Sequence, residues 1–309
     1  MSTILDGVDQ YFDLQSVTIN GGSFFPCTFS CWMKTTDLTK NAVLVCHDDG
    51  SYQQNMSEFR GGIAGDYVAA LCYDGAWDLA VSTLGVSNDT WHHVLVVFNS
   101  TTDRRVYLDG ANKGTDANTC NSAPGGAEDI GIGCRFPTGT PSLFFDGRLA
   151  EVAIWDVALS DANAVTLAGD NFASTVEAGN LLEYWHLKGD ANSDGGTGGH
   201  NLTAYNTPTF DAADHPITVA TEVTISGTAG ITFGSTANLT NLLSISGTSE
   251  ITFGSTANLT GSLSLSGTAS ITFSSTAVLI FGPLTGAKSE KYKRRLIAIN
   301  NDCLYYEDI

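Results

Sequence analysis

Two hydrophobic periods divide the chain. From the start to about residue 215, short apolar runs alternate with polar residues: CTFSCWMKT, NAVLVCHD, YVAALCYDG, WHHVLVVFN, RRVYLDG, LFFDGRLAEVAIWDV and NLLEYWHL. They are rich in β-branched and aromatic residues, and Gly, Asn and Asp clusters separate them. That is how strands and turns read. One segment, LSDANAVTLAG, carries helix signals instead, with Ser160 placed to cap it and Gly169 to end it. Many short strands with little helix predict an all-β sandwich or jelly roll.

The second period is stricter. From Val223 to Phe281 the odd positions are apolar or small, and sixteen of them are Val, Ile, Leu or Phe. The even positions are mostly Thr, Ser, Gly and Asn. Glu222 and Glu250 are the charged residues of the tract. A period of two over such a length predicts β structure with one face buried throughout. The line SGTAGITFGSTANLT recurs, slightly varied, every 20 residues, three times. Equivalent residues can therefore stack: Ile231, Ile251 and Ile271; Phe233, Phe253 and Phe273; Leu239, Leu259 and Leu279. A β-solenoid or an intertwined fibre shaft has this pattern. Three chains wound around one axis, a β-roll in one chain and an ordinary small sheet all remain open. Three chains would cover one another's edges, so a homotrimeric shaft is the expectation. The domain plan is 1–215 jelly roll, 216–283 repeat shaft and 284–309 C-terminal segment. In outline the repeats resemble the β-structured shafts of bacteriophage fibres and spikes.

The first region carries a more specific resemblance. LDGVDQYFDL, then CTFSCWMKT, then TWHHVLVVFN with RRVYLDGANKG, then GRLAEVAIWDVALSDANAVTL follow one another as the strand motifs of laminin-G-like jelly rolls do. LLEYWHLKGD and DGGTGGHNLTAYNTPTF match a segment that often opens such domains and here comes last. The chain thus resembles the concanavalin A-like lectin/glucanase superfamily over its first 210 residues or so. The residues themselves agree: Trp32, Trp91, Trp155 and Trp185 sit in strand patterns and would fill a sandwich core.

Charge narrows the partners. The net charge is −19, which argues against nucleic acid. Residues 287–309 hold five of the 14 basic residues and four of the 33 acids, so the remainder carries 29 acids against nine bases. The basic stretch KSEKYKRR precedes an alternating apolar run, which reads as a strand pair that docks on a partner or caps the shaft. No apolar run approaches the roughly 20 residues of a membrane span. The first residues lack the basic and apolar regions of a secretory signal. The seven cysteines show no framework spacing. They read as mostly buried thiols in a reducing compartment.

Candidate chemistry is sparse. The resemblance implies that hydrolytic relatives carry paired carboxylates as ExDxxE, and that spacing does not occur; Glu151 falls at a structural position of the family. The pair His92 and His93 faces opposite sides of a strand, which points to a structural role. Asp190, Asn192 and Asp194 have the spacing of a calcium loop, but Asn201 stands where the bidentate Glu belongs. Sugar rings stack on aromatic faces while their hydroxyls take hydrogen bonds. Tyr73, Asp74, Trp77 and Asp78 around one turn, with Tyr52 as a lesser candidate, fit that chemistry. The expectation is a non-enzymatic protein of a tailed bacteriophage particle. It would be a fibre, spike or decoration assembled in the host cytoplasm, displaying a lectin-like domain toward host-surface glycans and meeting other virion proteins through its C-terminal segment. A bacterial surface adhesin or carbohydrate-binding module is the alternative, and a glycan hydrolase the third reading.

Overall fold

The computed structural model describes residues 2–17, 24–48, 54–121, 128–135, 140–169, 171–211 and 213–217, and beyond these the backbone of nine strands between 223 and 308. The chain divides into two compact units, Met1–Ile217 and Thr218–Ile309.

In chain order the first unit holds β1 (Ser2–Asp6), β2 (Tyr11–Val17), β3 (Cys27–Lys34), β4 (Asn41–Asp48), β5 (Gln54–Arg60), β6 (Tyr67–Tyr73), β7 (Trp77–Val81), β8 (His92–Ser100), β9 (Asp103–Leu108), β10 (Ala111–Asp116), β11 (Glu128–Ile132) and β12 (Asp146–Trp155). The helix α1 (Asp161–Ala168) follows, then β13 (Leu181–Trp185), β14 (Thr203–Tyr205) and β15 (Thr209–Asp211). One sheet runs β10-β9-β8-β3-β12-β1-β15, with β13 on β12, and the other runs β14-β2-β11-β4-β5-β6-β7. The pairings are antiparallel and the two inner faces meet in one core, which is the jelly-roll sandwich the strand pattern predicts. The polar strand β5, QNMSEFR, is absent from the sequence reading. Its alternation is masked by buried polar residues such as Gln54, Asn55 and Glu58.

The central strands of the first sheet are buried on both sides. In β8, Val94, Val96 and Phe98 enter the core between the sheets, while Leu95 and Val97 pack outward under α1 with Tyr107, Ala153 and Trp155. The helix forms where expected: Ser160 Oγ accepts the backbone N–H of Asn163, and the Gly169 N–H returns to the Thr166 carbonyl. Three of the four expected core tryptophans are placed differently from the sequence reading. Trp185 lies in the inter-sheet core, but Trp155 lies under the helix, and Trp32 packs with Ala150, Ile217 and the partly buried Trp91. Strand patterns assign a residue to a face, and here both faces of this sheet are dry. At the edge of the sandwich, Gly114 of β10 lies so close to β7 that a Cβ there would sit 1.8 Å from the Val81 carbonyl oxygen.

The second unit contains β16 (Val223–Ser226), β17 (Ala229–Phe233), β18 (Ala237–Ser246), β19 (Ser249–Phe253), β20 (Ala257–Ser266), β21 (Ala269–Phe273), β22 (Ala277–Phe281), β23 (Arg294–Asn300) and β24 (Cys303–Asp308). Strands β16-β18-β20-β22 pair in parallel, as do β17-β19-β21. The register is one repeat: Ile231 opposes Ile251 and Ile251 opposes Ile271, and the Phe233 and Leu239 series behave alike. The antiparallel pair β23–β24 joins the larger sheet beside β22. Each strand edge within the stack thus finds its partner in the same chain, 20 residues on.

Two substitutions separate core from surface. Phe98→Ala, in the inter-sheet core, should lower unfolding stability by about 3–5 kcal/mol. Val165→Ala, on the side of α1 that is 61% exposed, should change it by less than about 0.5 kcal/mol. Urea denaturation of both variants gives the comparison, and similar losses in the two would contradict this assignment of the core.

Candidate functional site

The turn between β6 and β7 carries the one large aromatic side chain among the exposed hydrophobics of the described residues. Trp77 is 42% exposed. It lies opposite Tyr73 across the strand pair, with ring centroids 4.4 Å apart and planes inclined at 37°. The Arg135 guanidinium carbon lies 4.8 Å from the Trp77 ring centroid, and Arg135 Nε donates to Gln54 Oε1 at 2.9 Å. Gln54 is itself paired with Tyr73 across β5 and β6. An indole, a phenol, a guanidinium and an amide thus converge from three strands and the segment after β11.

Neighbouring contacts hold this corner. Cys72, next to Tyr73, forms a disulfide with Cys120, which corrects the reading of Cys72 and Cys120 as buried thiols. The two are 48 residues apart, and only the fold brings them together. Cys27, Cys31, Cys46 and Cys134 are buried. Beside the disulfide, Asp74 Oδ2 accepts the Asn121 backbone N–H at 2.7 Å, so Asp74 clamps the loop to the turn. Asp78 takes the opposite face of β7, in phase with core residue Ala80, whereas Leu79 follows Trp77. Of the five residues named from the sequence, Tyr73 and Trp77 come together, Asp74 supports them and Asp78 points away. Tyr52 lies outside the described residues. Arg135 and Gln54 were missed: single polar residues distant in sequence carry no local signal.

The other candidates make the following contacts. Asp190 Oδ1 accepts the Asn192 N–H at 3.1 Å, and Asp194 Oδ2 accepts the His186 N–H at 2.7 Å. Asn201 Oδ1 accepts the Ser193 N–H at 2.9 Å. The side chains of the candidate calcium loop thus accept backbone N–H groups, and among the described residues no group of three or more His, Cys, Asp or Glu is placed to hold a metal. His92 bridges Ser87 and Asp109, and His93 is buried with Nε2 2.8 Å from Ser30 Oγ. Glu151 is buried among Tyr184, His186 and His215.

Comparison with known proteins accords with this architecture. The family model of the concanavalin A-like lectin/glucanases superfamily matches residues 6–164. The chain belongs to this superfamily. No curated protein matches it. Among solved structures, the heptameric SAP-like pentraxin of Limulus polyphemus aligns with 12% identity over 67% of this chain and 93% of its own, with a TM-score of 0.49. Domain 4 of the Geobacillus stearothermophilus arabinanase AbnA, in complex with arabinotriose, aligns with 16% identity over 54% and 76%, at 0.45. The Ruminococcus gnavus IT-sialidase CBM40 aligns with 14% identity over 55% and 98%, also at 0.45. A jelly roll does not by itself carry a function, which depends on the site built on it.

His93 gives the jelly roll a pH dependence of definite sign. Burial pushes its pKa down from 6.5 to about 4, with Asp109 opposing weakly. Its neutral form is the folded one. The associated stability is therefore full above about pH 6.5 and is lost as pH falls toward 4, by about 3 kcal/mol. Urea titrations of the wild type and His93→Gln between pH 7 and pH 4 should show the wild type losing more. Parallel curves would contradict the assignment.

Proposed function

We propose that the lectin-like jelly roll is a non-catalytic carbohydrate-binding domain and that Trp77 is its sugar platform. The observation that carries this reading is the partly exposed indole, flanked by Tyr73 and Arg135 on a corner braced by a disulfide. The apolar face of a pyranose ring stacks on an indole, and the guanidinium nearby suits its hydroxyls. Bracing keeps the ordering cost of binding low. Membership of the lectin/glucanase superfamily supports the choice of ligand class.

On a glycan array followed by calorimetry of the best binder, Trp77→Ala should weaken binding by about 1–3 kcal/mol, a roughly 5- to 150-fold rise in Kd, with the melting temperature held. Reducing-end assays on the same glycans should show no release. Loss of melting temperature with unchanged Kd would make Trp77 a packing residue and remove the site. Release of reducing ends abolished by one Asp or Glu substitution would make the protein a hydrolase.

The repeats support a finer reading: a spacer that holds the jelly roll away from an attachment point, as in a fibre, spike or decoration protein of a tailed bacteriophage particle. In-register parallel stacking with a 20-residue step suits a unit whose job is length. We further propose a homotrimer, since the outer edges of such a stack invite pairing with other copies. Sedimentation should give a trimer for the full chain and a monomer for residues 1–217. A monomeric full chain at micromolar concentration, still resistant to protease across the repeats, would remove the trimer.

A further inference from the structure

The loop that follows β10 grips the corner of the candidate site on both sides of Tyr73. Cys72, just before Tyr73, is bonded to Cys120. Asp74, just after it, accepts the Asn121 backbone N–H at 2.7 Å. Tyr73 in turn packs on Trp77, with ring centroids 4.4 Å apart. Cys72 is also paired with Asp78 across β6 and β7, so the hold of the loop reaches both strands of the turn.

The other attachments of this loop belong to the first sheet. The Cys120 N–H donates to the Thr101 carbonyl at 2.9 Å. The buried Arg104 of β9 donates to the carbonyls of Asn118 at 2.8 Å and Thr101 at 3.3 Å, and it pairs with Asp116. The loop is thus fixed to one sheet by polar contacts and to the other by a covalent bond. Without that bond, the hydrogen bond left between loop and turn among the described residues is the one from Asn121 to Asp74. A single hydrogen bond constrains the chain far less than a cross-link between residues 48 positions apart. Cys120 is buried, yet Ala117, Asn118, Thr119 and Asn121 around it are exposed. Cys72 lies within β6, between β5 and β7. A thiol from solvent therefore reaches the Cys120 sulfur through a local opening of the loop, with no strand displaced. Burial pushes the Cys31 thiol up to about 12 and raises Cys134 as well, so neither competes as a thiolate at neutral pH.

We propose that Cys72–Cys120 is a redox switch on the Tyr73–Trp77 corner: the disulfide holds the corner ordered for a glycan, and its reduction loosens the corner and weakens binding. The gating of affinity rests on the reading of Trp77 as a sugar platform. In the reducing direction, a thiolate of a small dithiol attacks the Cys120 sulfur and forms a mixed disulfide, and Cys72 leaves and takes up a proton. The second thiol of the reductant then closes on the first, and Cys120 leaves as the other thiol. The protein gains two electrons and two protons, and the dithiol becomes a disulfide. In the oxidising direction a small disulfide such as oxidised glutathione restores the bond and yields two glutathione thiols. The corner is thus ordered in oxidising surroundings and loosened in thiol-rich ones.

The test uses the intact chain, folded, before and after treatment with dithiothreitol, with alkylation and mass mapping to confirm the state of Cys72 and Cys120. Hydrogen-exchange protection across Leu71–Leu79 should fall about tenfold on reduction, while His92–Ser100 holds. The Kd for the best array glycan should rise about tenfold, the cost of ordering one or two loosened side chains on binding. Oxidised glutathione should reverse both changes. The double variant Cys72→Ser, Cys120→Ser should match the reduced wild type and ignore dithiothreitol. A disulfide that resists dithiothreitol in the folded protein, or equal protection of Leu71–Leu79 in both states, would overturn the switch. Loss of protection in His92–Ser100 as well would make the bond a staple of the whole fold and also overturn it. A fall in protection with an unchanged Kd would remove the gating and leave the platform standing. If the oxidised protein binds no glycan, the platform reading fails, and the exchange data still decide the switch.

Discussion

The first unit depends on one constraint: the sheet built around β3, β8 and β12 has to be dry on both faces. Its strands are apolar at successive positions, as in the five buried residues Val94–Phe98 of β8. Such strands cannot leave a face in water without exposing several large side chains. The second sheet covers one side. The other side is covered by α1, the turn around Phe172 and the segment 213–217 that ends at Ile217. The helix and residues 213–217 are therefore part of the sandwich, although neither belongs to a sheet.

That double burial sets the electrostatics as well. A polar residue on either face of the sheet is taken out of water and has to be partnered. Glu151 gathers two imidazoles and a tyrosine, Glu183 takes the ring and backbone N–H of His200, and His93 stays neutral beside Ser30. These residues resemble catalytic constellations in composition. Glu151, Glu183 and His93 all lie buried in this sheet. The candidate glycan platform lies elsewhere, at the edge of the other sheet. There β7 has β6 on one side, and Trp77 can reach solvent while Leu79 stays under cover.

The repeat unit solves the same problem by another route. Its strands have one apolar phase, and their edges are paired by copying the sequence at a constant step, so each strand meets its own image. Identity of sequence becomes identity of register, because a one-residue slip would turn the whole apolar phase to the other face.

The sequence by itself determined most of the strands, the helix with both caps, the repeat step and the superfamily. All of these are written in local periodicity and in motifs a few residues long. It also singled out Tyr73 and Trp77, because an aromatic pair around a Gly turn is a local feature. Tertiary structure alone decided which face of each tryptophan strand met the core and which met the helix. It alone joined Cys72 to Cys120, brought Arg135 over Trp77, turned Asp74 into a clamp and set His215 against Glu151. Each of these is a meeting of residues tens of positions apart. Periodicity records which side a residue faces, and only the packing of one element on another decides what stands there.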